Sequence, residues 1–434
     1  MNASTKLSIA GWLIFTSSLA WTAQTVTVIH AGWLLAIPGE APVQRQTLVI
    51  RDNRITQIEA GYLPAESIAP DAQLLDLSDR FVLPGLMDMH VHLLNELGPD
   101  SRSRQITDGT TLQAFTGAHH ARLTLEAGFT TVRDLGGVPE AIFALREAIA
   151  RGYVVGPRVI AAGSSLAATG GHGDVDGMRA ELLDLWTPKT ICDGAVDCRR
   201  ATRYAIKYGA DWIKITATGG VLSDTATGLG QQMTDDELEE IMNTAHGLGR
   251  KVAAHAHGTD GVNAALAAGV DSIDHGTFLD RESIRLFKRN NAYLVPTLLP
   301  GQMIPLTMQG NPFYTDAIRE KALLAAQGSM ASFALALEGG VNIAFGTDTG
   351  VTPHGRNAKE FSLMVQGGMT PMQAIRSATV STAEMLDLSD DLGTLVPGKI
   401  ADLIAVEGNP LENIALLEAV KTVIRDGRLI KNEP

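Results

Sequence analysis

The chain has 434 residues, 45% of them hydrophobic, which suits a barrel of about 250–350 residues with a smaller companion domain. Its 35 basic and 48 acidic residues give a formal net charge of -13, against the basic footprint that nucleic-acid binding requires. The two cysteines, Cys192 and Cys198, exclude a zinc ribbon, which needs two pairs; they form either a local disulfide or two free thiols.

The first segment, 1–23, reads as a signal peptide. Lys6 is its single charge, Leu7 to Leu19 is mostly apolar, and Ala20 and Ala23 offer cleavage sites. The apolar run is shorter than the ~20 residues of a membrane span. The expectation is an exported protein, periplasmic or secreted, with no membrane segment once the leader is removed.

Strand patterns follow at Thr25–His30, Thr47–Ile50 and Arg54–Ile58, with Asp52-Asn53 as a turn. The chain end shows the same character at Ala401–Val406 and Val420–Ile424, with Arg425-Asp426-Gly427 as a hairpin turn. Between them, strand-like runs alternate with helical stretches at 112–127, 139–151, 198–209, 234–248, 259–268, 281–289, 318–339, 356–367 and 371–386. Thr234 and Glu237 form a capping-box pattern, and Gly128, Gly209, Gly249, Gly269 and Gly340 suit helix C-termini. The predicted fold is α/β: a (β/α)8 TIM-like barrel over 84–394, inserted in a small β-sandwich domain made by 24–83 and 395–434. Three long connections, 93–111, 217–233 and 298–317, are expected to form loops on one rim.

Six residues stand at or near the ends of apolar runs: His90, His92, Lys214, His255, His275 and Asp348. His90 and His92 are two apart, so on a strand both imidazoles reach one side. Nitrogen and oxygen donors in this mixture suit Zn²⁺ or a similar divalent ion, and strand-end placement suits the catalytic face of a barrel. Lys214 interrupts Trp212-Ile213 and Ile215; a cation there must pair, neutralise, be modified or snorkel outward. Asp348, alone, would equally suit a helix N-cap in its Thr-Asp-Thr-Gly loop. His257 faces the same way as His255 and is either a substitute ligand or a substrate contact. His172, in Gly-Gly-His-Gly-Asp, and His354, in Pro-His-Gly, are each a substrate contact or a surface-loop histidine. Gly219-Gly220 suits a nest of backbone N–H groups for a carboxylate.

Leu83-Pro84-Gly85-Leu86-Met87-Asp88-Met89-His90-Val91-His92, Val252–Gly258, Asp271–Thr277 and Phe345–Asp348 together resemble the metal-dependent amidohydrolase superfamily over residues 83–405. The Lys214–Val221 and Gly170–Asp174 motifs narrow the resemblance to a binuclear subgroup. That subgroup holds Xaa-Pro dipeptidase-like and imidazolonepropionase-like proteins and ochratoxin-hydrolysing amidohydrolases; Thr216 departs from its usual apolar residue. The resemblance implies two divalent ions, most simply Zn²⁺, and an N6-carboxylysine at Lys214 shared between them. His90, His92 and Asp348 would hold one ion, and His255 and His275 the other. It further implies a hydroxide held between the ions and Asp348 as proton shuttle. The expected reaction is hydrolysis of an amide beside a free carboxylate, in a dipeptide or N-acyl amino acid. The expected partners are such small molecules and further copies of the chain. A cyclic-amide hydrolase, a deaminase or a non-catalytic relative are the alternatives.

Overall fold

The computed structural model describes residues 25–225 and 227–434; the leader read at 1–23 lies outside them. Among the described residues fifteen strands run in chain order: β1 Val26–Leu34, β2 Val43–Arg51, β3 Arg54–Ala60, β4 Gln73–Pro84, β5 Leu86–Val91, β6 Phe129–Asp134, β7 Arg158–Ala161, β8 Ile213–Thr216, β9 Val252–Ala256, β10 Ser272–His275, β11 Tyr293–Val295, β12 Asn342–Ile343, β13 Leu403–Glu407, β14 Thr422–Arg425 and β15 Arg428–Asn432.

Strands β5 to β12 run parallel and form the barrel. Hydrogen bonding divides them into β5-β6-β7 and β8-β9-β10-β11-β12. Irregular backbone closes both seams. Leu166 N–H donates to Lys214 O at 2.8 Å and Thr216 N–H to Leu166 O at 3.0 Å. On the other side Met89 N–H donates to Phe345 O at 2.9 Å and Asp348 N–H to His90 O at 2.8 Å. Strands β5, β6, β8 and β9 are buried at every position, as expected where helices cover the outside and side chains fill the inside.

Both chain ends build one seven-stranded sheet in the order β15-β14-β13-β4-β1-β2-β3. The sandwich expected from the strand patterns takes the form of this single sheet curling over Ile29, Leu48, Ile55, Val82, Leu403 and Ile424. Its far edges meet through the chain at 398–401, where Ile55 N–H donates to Lys399 O at 2.9 Å and Gly427 N–H to Ala401 O at 3.0 Å. β4 pairs with β1 and β13, and Gly85 carries the chain straight into β5. The first barrel strand is thus anchored to both termini.

The helices follow the apolar periodicity closely, and the Thr234 cap holds, with Thr234 N–H donating to Glu237 Oε2 at 2.8 Å. Two of the three long connections depart from expectation: 93–111 carries the helix Ser101–Thr107, and 298–317 carries another. Residues 298–307, read as loop because of Pro300 and Pro305, form a helix. Pro300 occupies its first turn, where a missing N–H is tolerated. The N-terminus is capped from Glu360, far along the chain, so local sequence carries no start signal. Among the described residues no helix is long and apolar enough to cross a membrane.

Candidate metal centre

Strand ends β5, β8, β9, β10 and β12 converge on a cavity of about 290 Å³. His90, His92, Lys214, His255, His257, His275 and Asp348 all line it, as does His172 from the connection after β7. Asp348 Oδ1 lies 3.4 Å from His90 Nε2 and 3.2 Å from His92 Nε2. In this cavity two groupings bring their ligand atoms within 4.8 Å: His90, His275 and Asp348, and His255, His257 and His275. His275 therefore stands between both sets, and His257 falls with the second.

Neighbouring groups orient the rings. Nδ1 of His92 meets Gly136 O at 3.1 Å, that of His257 meets Thr277 Oγ1 at 2.6 Å, and that of His275 meets Thr297 Oγ1 at 2.7 Å. With Nδ1 engaged, each Nε2 is left for the cavity, the arrangement that fixes a ligating tautomer. Burial, reinforced by Lys214, lowers His90 to about 4. Burial and the neighbouring histidines carry His255 and His275 well below the ordinary imidazole range. Burial and His172 lower His257 to about 3. Neutral imidazoles are the ligand form. His92 differs: burial lowers it, but Asp348, Asp134 and the Gly136 carbonyl together raise it.

The donor set fits a cation. Asp348 Oδ1, beside the Nε2 atoms of His90 and His92, is buried without a well-formed hydrogen bond. Buried polar atoms of this kind call for a partner, and the pooled imidazole and carboxylate donors match Zn²⁺ chemistry.

Lys214 is 4% exposed and its Nζ donates to Asp274 Oδ2 at 2.7 Å. Asp274 Oδ1 accepts from Arg133 at 3.1 Å, and Arg133 is itself fully buried beneath Trp212 with further bonds to Met89 O and Ser272 Oγ. Burial raises the Asp274 carboxyl, but Lys214 and Arg133 outweigh it and hold the group well below its usual range. Burial lowers Lys214 despite Asp274. Asp88 is a second organiser. Its oxygens accept from His90 N–H, Thr347 N–H, Thr347 Oγ1 and Asn357, which ties β5 to the segment bearing Asp348. Sequence reasoning missed Arg133, Asp274, Asp88 and Thr297. A lone cation in Thr-Thr-Val-Arg-Asp was the same signal that singled out Lys214.

Two expected substrate contacts need correction. Gly219 N–H donates to Gly230 O at 3.0 Å, while its carbonyl lies 3.4 Å from His255 Nε2. The Gly220 carbonyl accepts from Lys321 Nζ at 3.0 Å. The turn presents carbonyls rather than an anion nest, because the chain after β8 pairs back on 228–231. Gly220 serves close approach instead: a Cβ there would overlap the His172 ring. His354 lies outside the cavity. Its ring stacks on His120 at 4.1 Å and its Nε2 meets Asn95 O at 2.9 Å. Glu96 is near both histidines, but parallel rings cannot aim two in-plane lone pairs at one ion.

His172 is held by Ser223 Oγ at 2.6 Å and by Gln232, and its ring lies 4.3 Å from that of His255. The cavity walls above are apolar: Leu135, Val221, Leu222, Pro300, Ile304 and Val351. Cys192 and Cys198 form a disulfide. The Cys192 segment braces the approach to His172 through Cys192 N–H to Ala167 O at 3.0 Å and Thr190 Oγ1 to Ser165 O at 2.8 Å.

The amidohydrolase family profile matches residues 81–430. Ochratoxinase of Aspergillus niger is 34% identical over 432 residues, covering 94% of this chain and 87% of that protein. A solved Xaa-Pro dipeptidase with methionine bound in its active site shares 41% identity and superposes with a TM-score of 0.89, over 94% of this chain and 100% of its own. A solved prolidase complexed with n-methylphosphonate-l-proline shares 29% identity with a TM-score of 0.85, over 94% of this chain and 100% of its own. Strand-end histidines on a closed barrel, the profile match and this relatedness along nearly the whole length agree: the chain belongs to the amidohydrolase family of hydrolases.

Proposed function

We propose that the chain hydrolyses an amide bond beside a free carboxylate, in a dipeptide or an N-acyl amino acid. The observation that carries this reading is the convergence of His90, His92, His255, His257, His275 and Asp348 on the floor of one apolar-walled cavity. Relatives with methionine in the active site, or complexed with n-methylphosphonate-l-proline, support an amino-acid-bearing ligand.

In this reading His90, His92 and Asp348 hold one divalent cation and His255 and His275 the other, with His257 adjoining. Bound there, such ions acidify a water and polarise a carbonyl. Lys214 lines the same cavity as both groups. Its neutral amine would add CO₂ and release a proton, giving a carbamate that reaches both; Asp274 would then keep Arg133 as its counter-charge. Asp348, ionised beside the His90 and His92 rings, takes the proton from the attacking water and delivers it to the leaving amine. The apolar walls receive the acyl or side-chain group. His172, Ser165, Thr216 and Ser329 are the cavity-lining polar side chains for the carboxylate.

The test compares N-acyl amino acids and dipeptides with their methyl esters on zinc-loaded protein. The free acid should win in kcat/KM by at least about tenfold, equal to ~1.4 kcal/mol. Equal rates would defeat the carboxylate requirement. Metal analysis should find two ions per chain, and Lys214→Ala should lose at least one of them with nearly all activity.

A further inference from the structure

Glu360, on the helix Lys359–Gln366, is fully buried, yet the reaction above makes no use of it. Its Oε1 accepts the N–H of Leu298 and its Oε2 the N–H of Leu299, both at 2.8 Å. These are the first two amides of helix Leu298–Thr307. The residue before them, Thr297, gives that helix no side-chain cap. It stands instead in the left-handed region, at φ 45° and ψ 55°, which a β-branched residue keeps only where its surroundings enforce it. So turned, its Oγ1 meets Nδ1 of His275 at 2.7 Å. The same helix carries Pro300, Gly301 and Ile304 into the cavity wall.

We infer that Glu360 is a positioning residue for His275. By gripping the Leu298 and Leu299 amides it holds Thr297 left-handed, and the Thr297 hydroxyl then accepts a hydrogen bond from His275 Nδ1–H. His275 is left with a bare Nε2 facing the cavity. The carboxyl group thereby couples the connection after β11 to the helix that follows Asp348, so that two strand-end segments keep one geometry. The inference rests on His275 being a metal ligand in the proposed function, but its first readout needs neither metal nor substrate.

That readout is the tautomer of His275 in full-length, metal-free protein, from ring ¹⁵N shifts assigned by their loss in His275→Asn. The native chain should show one tautomer, protonated at Nδ1. Glu360→Gln replaces one acceptor by an amide N–H₂ that opposes a backbone donor, and should give a mixture of tautomers. Thr297→Val should do the same, while Thr297→Ser should restore the native signal. Zinc affinity, measured by chelator competition, should fall about tenfold or more in Glu360→Gln and in Thr297→Val. The double variant should lose no more than Thr297→Val alone, because both act through one path. Circular dichroism and melting would confirm that each variant is folded. If Glu360→Gln does not fold, Glu360→Asp keeps the carboxyl group but withdraws it from the amides, and carries the same expectation. An unchanged His275 tautomer in a folded Glu360 variant, additive losses in the double variant, or a native ring bare at Nδ1 would each overturn the inference. Failure of the native chain to bind zinc would instead refute the metal reading, with the tautomer still testing Glu360.

Discussion

Lys214 and Arg133 are both cations inside barrel strands, and Asp274 sits between them at 2.7 and 3.1 Å. The two sides of this triad are not equivalent. Removing Asp274 as Asn leaves two buried cations without a counter-charge. Chemical unfolding of metal-free protein should then show a loss of about 3–5 kcal/mol. Lys214→Met in the same metal-free protein should cost less, since Arg133 still pairs Asp274. His246, on the outside, gives a pH signature. Its Nε2 meets Asp271 Oδ2 at 2.8 Å, and that hydrogen bond raises its pKa above the ordinary value. A raised folded value means stability present below pH ~6.5 and lost as pH rises through the folded pKa. The stability difference between the native chain and His246→Asn should therefore shrink from pH 6 to 8. Both groups are partly exposed, so it should stay within about 1 kcal/mol. The candidate ligand histidines could be read from the sequence because each ends an apolar run. Asp274, Asp88 and Glu360 could not, because their partners lie 60, 259 and 62 residues away and no local pattern announces them.

Helix Leu298–Thr307 shows the same limit one level up. Two prolines argued for a loop, and the cap that overrules them comes from a distant element. Where start and stop signals are local, the reading held: Gly209 and Gly269 end their helices left-handed, at φ 117° and 98°, as glycine permits. The connection after β7 carries the Cys192–Cys198 bridge, whose six-residue spacing closes a small ring. Chain entropy for so short a loop gives about 2 kcal/mol. Cys192→Ser with Cys198→Ser should lower the unfolding free energy by that amount. KM should rise more than kcat falls, because Ser165 and His172 are loosened while the strand-end histidines are not. Denaturant titration and steady-state kinetics check the two halves separately.

At the scale of the molecule, the alternation of strand and helix made the barrel readable, and the matching character of the two ends made the second domain readable. The curl of that domain into one sheet was not, because edge-to-edge contact through 398–401 has no periodic signature. β4 pairs with β13 and passes into β5 through the single residue Gly85. A chain ending at residue 419 would lose β14 and β15 and bare Leu403 and Ile404, which pair with Ile424 and Val423, and it should be insoluble or molten by near-UV circular dichroism. Export remains a proposal on the leader-like start; N-terminal sequencing of host-made protein should find a first residue near Trp21 or Gln24, and an intact Met1 in the cytosol would refute it. Three non-glycine residues at successive strand ends, His275, Thr297 and Asp348, are held left-handed at φ 73°, 45° and 56°. Such backbones cost about 1–3 kcal/mol each. Selection for heat resistance would therefore drift toward glycine at 297, the one of the three that lies outside the candidate ligand set. The survivors of such a screen would melt later and work worse, so a thermal assay alone would rank variants of this protein in the wrong order.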